Sequence, residues 1–152
     1  MDKIEIITTL KIAAVSHRAW CSNARALIDG VPLDKDKVPV RAVECEFGKW
    51  YYGEGQKLKE LPGFQEIEEV HEKLHAIYLE IFALLYGEEN RKSSFFSRLI
   101  GTAQKAAAAK REAARAKSLI LKDYSDEVIH KMEELQQVIS AMEDKQLADY
   151  LS

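Results

Sequence analysis

His71 and His75 stand four residues apart in a stretch with helical patterning, and Cys45 precedes them across a Leu61-Pro62-Gly63 break. Residues i and i+4 of a helix share a face, with Cβ atoms about 5–6 Å apart, close enough to hold one metal ion between them. A cysteine thiolate is a soft anionic donor, and protein zinc takes four ligands from Cys, His and carboxylates. The chain has only four histidines and two cysteines, so the gathering of His71, His75 and Cys45 within one stretch points to a transition-metal site, most simply Zn2+. The fourth ligand should come from another helix. His17, central in the first helical stretch, is the candidate, and His130 near the C-terminus competes less well.

Four protein ligands leave no open position, so such a site would be structural or regulatory and would not activate water. Its thiolate is electron-rich, and a strong oxidant can take it to the sulfenic acid. Cys45 is therefore a redox candidate. Cys21 lies one turn after His17 on the same face; it is either a small core residue or the partner that resolves an oxidised Cys45 by a disulfide. Glu46, Lys49 and Glu54 are candidates for contacts behind the ligands, because a ligating histidine donates its other ring N–H to a carboxylate or carbonyl.

His71-Glu72-Lys73-Leu74-His75 also spells the H-E-x-x-H pattern of zinc peptidases, with Glu72 as general base. No strand pattern is available to align a substrate, and Cys45 would take the position that water needs. No enzyme is expected.

The elements that must position these groups are helical. Ile4, Ile7, Leu10, Ala14, Leu27 and Ile28 recur at three- and four-residue steps, which predicts a helix over residues 3–29, ended by Gly30 and Pro32. A second, shorter helix is expected from Pro39 to about Tyr52, with Gly48 admitting a close backbone or the ring of Trp50. Trp20, Trp50, Tyr51 and Tyr52 read as packing residues. A third helix runs from Phe64 to Tyr86. Residues 95–122 include an alanine-rich run of high helix propensity, Gln104 to Lys117. Ser125 is read as opening a last helix whose Val128, Met132, Leu135, Ile139 and Met142 form an apolar stripe. No strand pattern and no repeat occurs. The expected fold is all-α, an antiparallel four-helix-type bundle with an extended C-terminal helical pair: residues 1–90 form the helical bundle that holds the metal site, and residues 91–152 pack on it or on a dimer partner.

Residues 91–122 hold nine Lys or Arg against one Glu, whereas the residues after them are predominantly acidic. The simplest consequence is a basic helix facing acidic ones within one bundle or dimer. The alternative is docking to an acidic partner, a membrane surface or nucleic acid. The alanine-rich part lacks aromatic residues for base stacking, which argues against single-stranded nucleic acid, and no nucleic-acid partner is expected. Two cysteines cannot build a disulfide framework, which suits reduced thiols in a cytoplasmic setting. No apolar run long enough for a transmembrane segment occurs, and Met1-Asp2-Lys3-Ile4-Glu5 lacks the basic head of a signal peptide.

A His on the first helix, then Cys45-Glu46-Phe47-Gly48-Lys49-Trp50-Tyr51-Tyr52-Gly53-Glu54-Gly55, then Leu61-Pro62-Gly63-Phe64 and His71 with His75, resembles the chemoreceptor zinc-binding (CZB) domain. The resemblance covers roughly residues 10–85. It implies a four-helix bundle, usually a homodimer, with one Zn2+ held by three His and one Cys, carried over here to His17, Cys45, His71 and His75. Such domains sit beside chemoreceptor or diguanylate cyclase modules and regulate them through zinc or an oxidant such as hypochlorous acid. Neither module lies within these 152 residues.

Overall fold

The computed structural model describes residues 2–87 and 101–151. They form five helices: α1 (Lys3–Ile28), α2 (Glu46–Tyr52), α3 (Phe64–Tyr86), α4 (Thr102–Ala141) and α5 (Asp144–Leu151). Short 3-10 turns at Lys35–Lys37, Ala42–Glu44 and Glu54–Leu58 link them. No strand occurs among the described residues, and the architecture is an all-α bundle.

α1 starts at a capping box. The Asp2 carboxylate accepts the Glu5 N–H at 2.8 Å, and the Glu5 carboxylate accepts the Asp2 N–H at 2.8 Å. This satisfies two donors that a helix start leaves open, and caps of this kind stabilise by about 1 kcal/mol. The buried face is Ile6, Leu10, Ala13, Ala14, His17, Trp20, Ala24 and Leu27, so His17 and Trp20 belong to the core stripe. The helix ends where Gly30 turns left-handed (φ 82°) and the Val31 N–H reaches back to the Ala26 carbonyl at 2.9 Å. Only glycine takes that conformation without a Cβ penalty.

α3 begins without a side-chain cap, on a second left-handed glycine, Gly63 (φ 84°) of the Leu61-Pro62-Gly63 turn. Its buried stripe is Phe64, Ile67, Val70, His71, Leu74, His75, Tyr78 and Ile81. Both histidines are thus delivered to the interior by the periodicity that buries their apolar neighbours.

α4 runs antiparallel to α1 and to α3. Lys117 pairs with Glu80 at 2.5 Å and Lys131 with Glu66 at 2.9 Å, while Arg115 pairs with Asp29 at 3.8 Å and Arg18 with Glu133 at 3.3 Å. Basic residues of the 91–122 stretch therefore do meet acidic ones within the bundle. These pairs are largely exposed and worth at most about 1 kcal/mol each; the buried face of Ala114, Leu121, Val128, Met132, Leu135 and Ile139 carries the packing. Of the helix expected over residues 95–122, the part up to residue 100 lies outside the described residues.

Two expectations are corrected. The helix predicted from Pro39 to Tyr52 exists only from Glu46. Upstream, the carbonyls of Pro39 and Val40 accept hydrogen bonds from Trp20 Nε1 (3.0 Å) and His75 Nδ1 (2.8 Å), and Cys45 is extended (φ −72°, ψ 156°). Those side-chain bonds tie residues 39–45 across α1 and α3 and replace helical hydrogen bonding there. The break predicted before Ser125 is likewise absent. α4 continues for 40 residues, about 60 Å, to an extended Met142 (ψ 147°), and only the short α5 follows. Ser125 is a buried mid-helix residue whose hydroxyl is spent on α1. The helical pair expected at the C-terminus is one long helix and a short one.

Candidate metal centre

Cys45 is the N-cap of α2. Its Sγ accepts the Gly48 N–H at 3.2 Å, and its S–H donates to the Ala42 carbonyl at 3.3 Å. The approach of Ala42 requires glycine at 48: a Cβ there would sit 1.7 Å from the Ala42 oxygen. The close neighbour foreseen for Gly48 is therefore backbone. Trp50 packs instead over Gly55, where a Cβ would lie 3.3 Å from the ring, and against Phe47 and Phe64. Tyr51 stacks on Phe64 (centroids 4.4 Å apart) and donates its hydroxyl to the Phe64 carbonyl at 3.1 Å, joining α2 to the start of α3.

Held this way, Cys45 faces α3. Its Sγ lies 3.3 Å from His71 Nε2, and the ligand atoms of Cys45, His71 and His75 all fall within 4.8 Å of one another in the interior. Tetrahedral zinc, with about 2.0–2.1 Å to nitrogen and 2.3 Å to sulfur, sets ligands roughly 3.3–3.8 Å apart. His75 is oriented for such a role. Its Nδ1 donates to the Val40 carbonyl, which fixes the tautomer, and its buried Nε2 has no hydrogen-bond partner among the described residues. A buried imidazole lone pair without a partner is costly, and a metal ion would satisfy it. The second ring nitrogen of His71, Nδ1, is likewise buried without a partner among these residues. The donor set and spacing fit a zinc ion held by Cys45, His71 and His75.

The protonation states suit the same role. Burial holds His71 down to about 2 and His17 down to about 4, and it lowers His75 as well, so all three present neutral imidazoles near neutral pH. Burial pushes the Cys45 thiol up, against the opposing pull of the Gly48 N–H. A bound dication would supply the charge that makes the thiolate favourable there.

His17 is buried beside this group, its ring centroid 6.0 Å from that of His71, but outside the set of three. Its Nε2 lies 3.3 Å from Ser125 Oγ and 3.6 Å from Cys21 Sγ, and the Cys21 S–H donates to Ser125 Oγ at 3.0 Å. Cys21 is a free thiol, as is Cys45, and burial pushes it up to about 11. His130 is exposed on α4, against Glu134 at 3.3 Å, far from a ligand's setting. Glu72 is exposed and accepts a hydrogen bond from the Tyr52 hydroxyl at 3.5 Å. Glu46 and Glu54 are exposed and pair with Lys49 and Lys57, both at 2.5 Å. The contact behind His75 comes from the Val40 backbone, which no side-chain motif announces. Solvent approaches from one side, through a cavity of about 400 Å³ between α1 and α2 whose lining includes His17, Cys45, Asn23, Asp36 and Lys49.

Trp20 lines the same cavity and separates it from His75 and Tyr78. Its indole packs on His75 (centroids 4.6 Å) and Tyr78 (4.8 Å). Phe47 meets His71 edge-on at 4.6 Å. These rings exclude water from the imidazoles and lock their rotamers.

Among comparisons with known proteins, the family described as the chemoreceptor zinc-binding domain matches residues 17–82. No curated protein and no solved structure matches the chain. The matched span begins at His17 and takes in Cys45, His71 and His75; it ends before α4.

Proposed function

With residues 17–82 belonging to the chemoreceptor zinc-binding domain family, we propose that this chain is a zinc-responsive regulatory protein whose site is completed by His17 as fourth ligand. The observation that carries the reading is the buried group of Cys45, His71 and His75, with His75 Nε2 lacking a partner among the described residues. When bound, zinc would supply an electrostatic clamp rather than a catalytic centre. The chain's own residues do the rest. Cys45 brings the start of α2, His71 and His75 bring α3, and His17 brings α1, so gain or loss of the ion changes how three helices are held.

The same site has a redox branch. The cavity between α1 and α2 reaches Cys45, so a two-electron oxidant such as hypochlorous acid can convert its thiol to the sulfenic acid, releasing chloride. The Cys21 thiol then displaces water to give a disulfide between α1 and the α2 N-cap. The output is a change in helix packing or in affinity for a partner: a second copy of the chain, or a chemoreceptor or diguanylate cyclase signalling protein in the cytoplasm. Among the described residues, no helix is long and apolar enough to cross a membrane.

A structural-zinc interaction module is the second reading, favoured by the depth at which the ligands are buried. A peptidase is disfavoured, because Glu72 points to solvent and Cys45 occupies the position a hydrolytic water needs. The test is metal analysis of the purified chain beside Cys45→Ala and His75→Ala, with oligomeric state recorded. One zinc per chain is expected for wild type, with clear loss in both variants. Metal-free wild type after purification with zinc overturns the reading. Zinc removal that leaves oligomer and partner affinity unchanged while lowering Tm selects the structural alternative.

A further inference from the structure

We infer that Ser125, on the long helix and outside the matched span, competes with the metal for His17 and so links the zinc site to α4. The inference rests on the zinc-site reading above and deepens it. Ser125 is a buried polar residue of α4, 8% exposed, and it lies directly against α1. The Cys21 S–H donates to Ser125 Oγ at 3.0 Å, and Ser125 Oγ lies 3.3 Å from His17 Nε2. We take the tautomer with the proton on His17 Nδ1, in which the Ser125 O–H donates to Nε2.

The lone pair on His17 Nε2 can accept that hydroxyl or bind a cation, not both. Neither ring nitrogen of His17 falls within the 4.8 Å group, yet its ring centroid is only 6.0 Å from His71. Two imidazoles on one tetrahedral zinc have centroids about 5 Å apart, so joining the group requires a shift of about 1 Å with a turn of the ring. Such a turn withdraws Nε2 from Ser125 and Cys21. Coordination through Nε2 and the α1–α4 hydrogen bond are therefore exclusive alternatives, whereas ligation through Nδ1 would leave Nε2–H to donate to Ser125 and would make Ser125→Ala bind zinc more weakly. Zinc uptake trades a tie to α4 for a tie to α2 and α3. Ser125 is a positioning residue, and it sets how much of the binding energy is spent releasing α4.

The test uses the full chain, with zinc affinity measured by competition against a chromophoric chelator and Tm measured in excess chelator. Ser125→Ala is expected to bind zinc about five-fold more tightly at unchanged stoichiometry, because one ordinary hydrogen bond no longer opposes the ligand. Its chelated form should melt lower than wild type. Ser125→Thr, which keeps the hydroxyl, should return both values toward wild type. Cys21→Ala, a second route should Ser125→Ala fail to fold, removes the donor that orients the hydroxyl and should tighten binding by about two-fold. A merely structural role for Ser125 would lower affinity and Tm together. Weakened or unchanged zinc affinity in the foldable alanine variants overturns the inference while leaving the zinc site standing. Wild type that binds no zinc overturns both.

Discussion

Gly48→Ala separates two effects of opposite sign. Gly48 lies inside α2, where replacing glycine by alanine ordinarily stabilises a helix by about 1 kcal/mol. The tertiary structure reverses that. The added Cβ would lie 1.7 Å from the Ala42 oxygen and 2.8 Å from its carbonyl carbon. Both atoms are backbone, so relief must come from moving the 42–45 segment or α2 itself. Overpacking of a tight interior costs about 1–3 kcal/mol, and a main-chain obstacle belongs at the upper end, so a net loss of about 2 kcal/mol remains after the helix gain. The displaced groups are those that hold Cys45, namely the Ala42 carbonyl at 3.3 Å and the Gly48 N–H at 3.2 Å. Disturbing contacts behind a ligand lowers metal affinity by about 10–100-fold. Urea unfolding in excess chelator reads the first quantity, and zinc competition reads the second. An alanine variant as stable as wild type, with unchanged affinity, would refute the argument that Ala42 and Gly48 shape the thiol's position.

The chelated protein should lose stability as pH falls. His17 and His71 are held at about 4 and about 2 in the fold, below the ordinary 6.5, so on acidification the unfolded chain takes up protons that the folded chain refuses. From about pH 7.5 to about pH 5.5 each contributes a loss of about 1.4 kcal/mol, roughly 3 kcal/mol together, and the lowered His75 adds in the same direction. Urea titrations across that range would show it; a flat profile contradicts the burial argument. For the redox branch, stoichiometric hypochlorous acid should yield a Cys21–Cys45 disulfide by peptide mass spectrometry, and recovery of Cys21 only as the free thiol, with Cys45 oxidised, ends that idea.

What could be read from residue order was whatever depends on local chemistry. The stripes of α1 and α3, their left-handed glycine boundaries at Gly30 and Gly63, and the shared face of His71 and His75 all follow from helical period and backbone sterics. Cys45 was recognisable beside them because soft donors are few in the chain. Tertiary contacts decided the rest. Residues 39–45 form no α-helix, only the 3-10 turn at Ala42–Glu44, because Trp20 and His75 claim the Pro39 and Val40 carbonyls, and no local propensity encodes a partner 19 or 35 residues away. Ser125 carries a helix-start signature in sequence, yet it lies mid-helix with its hydroxyl turned to His17, 108 residues away. A side chain that favours caps will serve any nearby acceptor, and only the packing of α4 on α1 determined which acceptor that was.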